Sequence, residues 1–271
     1  RYETTTRYLE EFIKKEYQLS DIALNNLEAN FISKFDAFLK IEKGCAQNSA
    51  ITRLKNLKKI IRIALENDWI KKDPFAYYRF KLEETYPEFL TMDEIKIILA
   101  KEFTIKRVEQ VRDVFVFCIF TGLAFSDVKD LSPEHLVKDN KGELWIRKNR
   151  QKTKIMCNIP VLPVAASILD KYKDVAECTG KLLPVLCNQR MNSYLKEIAD
   201  VCGIHKNLST HTARHSYATS ICLANGVSME NVAKMLGHAD TSVTKHYARV
   251  LDQNIFKDMQ KVNSCLSELT I

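Results

Sequence analysis

Paired cysteines are missing from this 271-residue chain: none of its eight cysteines stands in a CxxC. They are scattered, most of them among apolar residues, which argues against a disulfide framework and for reduced, buried thiols in a cytoplasmic protein. No apolar run approaches the ~20 residues of a membrane span. The best run, VFVFCIF at 114–120, has the length of a buried core helix segment. No secretory signal is visible near Arg1, and no internal repeat or low-complexity stretch appears. A 46% hydrophobic content is enough for a sizeable core, and the length suits two domains or one large one. The net charge of +7 fits a polyanionic partner, an inference that needs a motif to give it weight.

Residues 1–80 read as helices. Tyr8, Leu9, Phe12 and Ile13 fall at helical intervals, as do Leu27, Phe31, Phe35, Phe38 and Leu39. A third stripe runs through Ile51, Leu54, Leu57, Ile61 and Leu65. Its opposite face holds Arg53, Lys55, Lys58, Lys59 and Arg62 with no acid between them. In an isolated helix such a face is ordinary solvated surface. Beside a phosphoryl-transfer site, should the rest of the chain supply one, it would be better explained as a surface for DNA phosphates. Pro74 and Pro87 punctuate a stretch where helical periodicity lapses, and Thr91 with Glu94 forms a capping-box pattern that restarts it. The boundary is placed near residue 86, giving domains 1–86 and 87–271. Residues 135–160 form the β region, three short runs with a turn at DNKG (139–142) between the first two and RQKTK (150–154) in the second connection.

The chemistry gathers between His211 and Tyr247. The segments read HTARH at 211–215, LGH at 236–238 and HYARV at 246–250. His211 and Arg214 are i, i+3 and share a helix face behind an N-cap at Ser209 or Thr210. Ser228 caps a second short helix that stops at Gly237 and leaves His238 just beyond its end. A third helix from Asp240 or Thr241 carries Tyr247. Two imidazoles, a guanidinium and a phenol suit attack on a phosphodiester. The reaction builds charge on non-bridging oxygens, which a forked guanidinium absorbs. A phenol with a reference pKa near ~10 needs cationic neighbours or a base to act at neutral pH.

This ordered set, an HxxR, a glycine-preceded His and a Tyr nine residues later, resembles the signature of the tyrosine recombinase (phage integrase) family. The resemblance covers essentially the whole chain. It implies a mainly α protein, with a helical core-binding (SAM-like) domain followed by an α-rich catalytic domain containing a small antiparallel sheet. His211, Arg214, His238 and Tyr247 take the catalytic positions. The stretch TGLAFSDVKDL at 121–131 resembles the family's first box, but Ala124 stands where an arginine normally clamps the scissile phosphate. Asp127 matches the acidic position that buttresses the arginine and histidine of the site, and Lys152 is the best match to the hairpin lysine, with Lys154 second. If the chain is extended there, Arg150 and Lys152 point to one face roughly 7 Å apart, so Arg150 is expected to replace the charge lost at Ala124.

The resemblance further implies double-stranded DNA at core sites as partner and a 3′-phosphotyrosyl intermediate. It also implies a tetramer assembled through the C-terminal tail (Ile255, Phe256, Met259, Val262 and Leu266), and host DNA-bending factors. Bond energy is kept in the covalent link, so no cofactor or metal is expected, nor any membrane association. An N-terminal arm-binding domain, carried by many mobile-element relatives, is expected to be absent. Ala124, RQKTK and the PFAYY segment (74–78) resemble integrases of integrative conjugative elements and conjugative transposons.

Four other readings stand beside this one. His211 and His215 at i, i+4 suggest zinc, but Thr212 occupies the place of the catalytic Glu in HExxH and no third ligand is evident. A DNA-binding protein without catalysis is compatible with Ala124 and with the helix-turn-helix look of residues 223–237. Type IB topoisomerases share the chemistry, and Xer-type chromosome-dimer resolvases share the family.

Overall fold

A computed structural model of the chain describes residues 2–85, 87–244, 259–260 and 262–263. It divides into two compact units, Arg1–Thr85 and Tyr86–Ile271.

The first unit is built on three helices, α1 (Tyr2–Tyr17), α2 (Ala29–Ile41) and α3 (Gln47–Glu66). The apolar stripes read from the sequence meet in one core. Phe12 of α1 packs edge-on against Phe31 of α2 at 5.2 Å, and Leu54 and Ile61 of α3 are fully buried beside them. Each such side chain contributes ~1.5–3 kcal/mol by leaving water. A buried hydrogen bond from Asn56 Nδ2 to Thr5 Oγ1 (2.9 Å) fixes α3 against α1. The opposite face of α3 leaves Lys55, Lys59 and Arg62 exposed, with Arg53 and Lys58 half-buried. The Lys58 ammonium lies over the rings of Phe75 (5.6 Å) and Phe80 (5.2 Å), and Arg62 pairs with Glu66 one turn on (3.1 Å).

In the second unit the capping box at Thr91 and Glu94 is formed and starts α4 (Met92–Ala100). The central helix α5 (Lys106–Thr121) is buried on every side from Val114 to Phe120, as an all-apolar helix must be. It ends at Gly122 in the left-handed conformation (φ +68°). A Cβ there would fall 2.3 Å from Cδ1 of Tyr217, so only glycine lets this end approach that ring. After α6 (Phe125–Lys129) come β1 (Leu136–Lys138), β2 (Leu144–Asn149) and β3 (Met156–Pro160), an antiparallel meander in the order β1-β2-β3. Asp139 closes the first turn by accepting from the backbone N–H groups of Lys141 and Glu143.

The chain then continues through α7 (Pro163–Lys171), α8 (Lys173–Thr179), α9 (Asn188–Val201) and α10 (Thr210–Ser216). A π-helical turn, Tyr217–Cys222, carries on from α10 before Gly226 stops the helix, a widening that helical periodicity does not reveal. Last come α11 (Met229–Leu236) and the short α12 (Thr241–Thr244). The fold is mainly helical with one small antiparallel sheet, as the resemblance implied. Among the described residues no helix is long and apolar enough to cross a membrane.

Candidate active site

The ends of α5 and α11 converge on a residue of α10, the arginine of HxxR. Ser209 caps α10, its Oγ accepting from the Thr212 N–H (3.3 Å), and so turns His211 and Arg214 to one face. Arg214 is only 2% exposed, a burial that a guanidinium tolerates only when its donors are met. Its Nη1 donates to the carbonyl of Gly122 and its Nη2 to that of Leu236, each at 2.6 Å. Both acceptors lie at helix C-termini, where the partial charge is negative. The guanidinium therefore binds α5, α10 and α11 together.

Arg214 Nη2 also lies 3.1 Å from Nε2 of His238. A guanidinium has no acceptor, so Nε2 accepts, Nδ1 carries the ring proton, and that proton is donated to Oγ1 of Thr244 at 2.9 Å. Burial, then Arg214 and Arg150, push the His238 imidazole down to about 4, so it is neutral near pH 7. In this structure Nε2 faces the guanidinium with its lone pair. His211 is also lowered, by burial first and then by Arg214, Lys152 and Arg150, which sets it among three cations. Its ring meets His215 edge-on at 4.6 Å. His215 is buried and pushed down to about 4 by the same burial and by its two neighbours.

The β2–β3 connection does not run extended, the condition under which Arg150 and Lys152 would share a face. The chain turns at Gln151, the N–H of Lys154 returning to the carbonyl of Arg150 (2.9 Å) with Lys154 left-handed (φ +59°). Arg150 and Lys152 therefore part: Lys152 is exposed in the turn and Arg150 is 9% exposed. The Arg150 Nε lies 3.6 Å from Asp127 Oδ2, without a hydrogen-bond partner among the described residues. Asp127 accepts from the backbone N–H of Gln151 at 2.9 Å. The carboxylate thus braces the hairpin turn and Arg150, rather than bonding the arginine and histidine of the HxxR motif. Ala124 is the N-cap of α6, the helix that carries Asp127.

Gly237 completes the packing. Its φ is +61°, and a Cβ there would lie 2.7 Å from both Cδ of Arg150 and Sγ of Cys157. Thr153 Oγ1 donates to the Gly237 carbonyl (3.1 Å), tying the hairpin turn to the loop that holds His238. Gln151, Thr153 and Thr244 were missed in the sequence; the only signal available was that each stands within three positions of a motif residue. Tyr247 and most of the tail lie outside the described residues; of the tail residues named above, Met259 and Val262 are described and exposed. Among the described residues no cluster of three or more His, Cys, Asp or Glu side chains is arranged to hold a metal ion.

Residues 1–82 match the family model of the phage integrase SAM-like domain, and residues 88–254 that of the phage integrase family. A tyrosine recombinase XerD of Listeria monocytogenes serotype 4b (strain F2365) is 27% identical over 278 residues, covering 96% of this chain and 90% of its own. A XerD of Lacticaseibacillus casei is 28% identical over 237 residues (81% and 78%). The fold is similar to that of a lambda integrase (75-356) dimer bound to a COC' core site, with TM-score 0.73 and 19% identity over 93% of this chain and 89% of that one. It is also similar to the Tn1549 transposon integrase in complex with a circular intermediate DNA, with TM-score 0.69 and 16% identity over 96% and 91%. A buried guanidinium set between two histidines, in a chain matched along both its units, has one reading: the chain belongs to the phage integrase family and is a site-specific tyrosine recombinase.

Proposed function

We propose that this chain cleaves and rejoins double-stranded DNA through a 3′-phosphotyrosyl intermediate to integrate or excise a mobile element. The observation that carries the reading is the Arg214 clamp: one buried guanidinium held by two helix-end carbonyls, with His238 against it and His211 one turn before it. In this reading the Tyr247 oxygen attacks phosphorus in line and displaces the 5′ oxygen of the neighbouring nucleotide. Neutral His211 takes the phenolic proton, Lys152 protonates the leaving oxygen, and Arg214, Arg150 and His238 hold the non-bridging oxygens. Asp127 keeps Arg150 and the hairpin turn in place. The phosphotyrosyl link conserves the bond energy, so rejoining needs no nucleotide or metal.

Arg53, Lys55, Lys58, Lys59 and Arg62 line the DNA backbone in the first domain (1–86), and residues 87–271 form the catalytic domain. Exchange of two strand pairs takes four sites, hence a tetramer on DNA, with exposed Met259 and Val262 of the tail suited to dock on a neighbouring copy. The protein works in the bacterial cytoplasm, on the nucleoid, with host DNA-bending factors as partners. The departure at Ala124 and the likeness to the Tn1549 transposon integrase favour a conjugative element.

A nicked suicide duplex carrying candidate element ends tests the reading. An SDS-stable protein–DNA adduct is expected from the wild type and none from Tyr247→Phe; an adduct from the Phe variant sinks it. A second reading, chromosome-dimer resolution, is favoured by the XerD names of the relatives. It predicts adducts on a chromosomal resolution site and none on element ends.

A further inference from the structure

Thr244 is fully buried, and its Oγ1 lies 2.9 Å from Nδ1 of His238. It is the last residue of α12 and stands three positions before Tyr247 in the sequence. Two facts constrain the imidazole. Toward Arg214 its Nε2 must be an acceptor, because the guanidinium only donates. Toward a phosphate oxygen the same nitrogen must be a donor, because that oxygen only accepts. The ring has to exchange its proton between nitrogens, or gain a second one, between the free and the DNA-bound states. Most side chains opposite Nδ1 would oppose one of those states: a carboxylate accepts only, an ammonium donates only. A hydroxyl accepts from Nδ1–H in the first and donates to a bare Nδ1 in the second.

We infer that Thr244 is a positioning residue: its hydroxyl holds the His238 ring in place while the ring passes from accepting a hydrogen bond from Arg214 to donating one to the scissile phosphate. The inference rests on the phosphoryl-transfer role proposed for His238, but its first consequence is a property of the free protein.

The test compares Thr244→Val, which keeps the shape and removes the hydroxyl, with Thr244→Ser, which keeps the hydroxyl. Nitrogen-15 NMR of the full chain without DNA reads the His238 tautomer, and adduct formation on the nicked suicide duplex reads the cleavage rate under single turnover. Wild type and Thr244→Ser are expected to show a protonated Nδ1, and Thr244→Val a mixture of tautomers. Thr244→Val is expected to cleave about tenfold or more slowly, the worth of one hydrogen bond in a buried charged site. Its DNA affinity is expected to stay unchanged, while Thr244→Ser remains close to wild type. A protonated Nε2 in the free wild type, full-rate cleavage by Thr244→Val, or equal loss in Thr244→Ser each overturns the inference. Adduct formation by Tyr247→Phe overturns the functional reading instead, and leaves the tautomer measurement standing.

Discussion

Arg150 and Asp127 form a buried ion pair, Nε to Oδ2 at 3.6 Å, with side chains 10% and 3% exposed. The two come from different elements, the β2–β3 turn and α6, and Ala124 begins the second of these. The family's first-box arginine would extend from that N-cap. Here the positive charge enters the region from the neighbouring hairpin, balanced by the carboxylate that the first box still supplies. A desolvated pair of this kind makes each partner costly to remove, because the other is left buried and uncompensated.

Arg150→Ala is expected to lower suicide-substrate cleavage by about a hundredfold or more, the usual loss for one oxyanion-stabilising donor. DNA affinity should stay within a few-fold. Arg150→Lys restores the charge without the fork and should fall between. Gel-shift and adduct assays on the same preparations decide it; undiminished cleavage by the Ala variant removes Arg150 from the site.

Asp127→Asn keeps an acceptor for the Gln151 N–H but gives up the charge facing Arg150, whereas Asp127→Ala loses both. Urea unfolding should rank the alanine variant least stable, with a gap of about 1–3 kcal/mol from the asparagine variant for the stranded N–H. Equal stabilities would mean that the hydrogen bond to the turn carries no weight.

Gly237→Ala is expected to destabilise the chain by about 1–3 kcal/mol, since the new methyl group meets Arg150 and Cys157 at a left-handed position. Cleavage should fall as well, because Arg150 is what must move. Thermal unfolding gives the first effect and adduct formation the second; a variant as stable as wild type contradicts the packing described.

His215 and His238 are both pushed down to about 4 by burial. Unfolded imidazoles titrate near ~6.5, so the unfolded chain takes up protons first as the pH falls. Stability from keeping these rings neutral is complete above that value and is lost progressively as pH falls toward 4. The DNA-free protein should therefore melt at lower temperature as the pH is taken from 7 to 4.5. His238→Gln should flatten that slope; an unchanged slope would show that His238 does not contribute.

Lys55 and Lys59 are exposed on α3, over the rings of Phe80 and Tyr2 respectively. If they meet DNA phosphates, alanine at each should reduce the slope of log affinity against log salt by about 0.9. Arg62 pairs with Glu66 and should have a smaller effect. Slopes identical to wild type would place this face away from DNA.

Local rules carried the sequence reading far. The Thr91–Glu94 capping box, the Ser209 and Ser228 caps, the stop at Gly237 and the DNKG turn all form where the residues demand, because each rests on contacts within four positions. RQKTK was legible as a connection but its course was not, since the αL bend at Lys154 gives no signal in residue type. The π-helical turn after α10 was equally hidden.

By itself the order of residues determined the helical class, the meander and the spacing of His211, Arg214 and His238 along the chain, because these follow from short-range periodicity and capping. Only the tertiary structure decided that Arg214 hangs on the carbonyls of Gly122 and Leu236, that Asp127 turns to Arg150 and Gln151, and that His238 faces the guanidinium with a lone pair. Those outcomes depend on groups as many as 92 positions apart in the chain. Which donor a buried acceptor finds is settled by packing, where an unmet polar group costs more than any local preference can return.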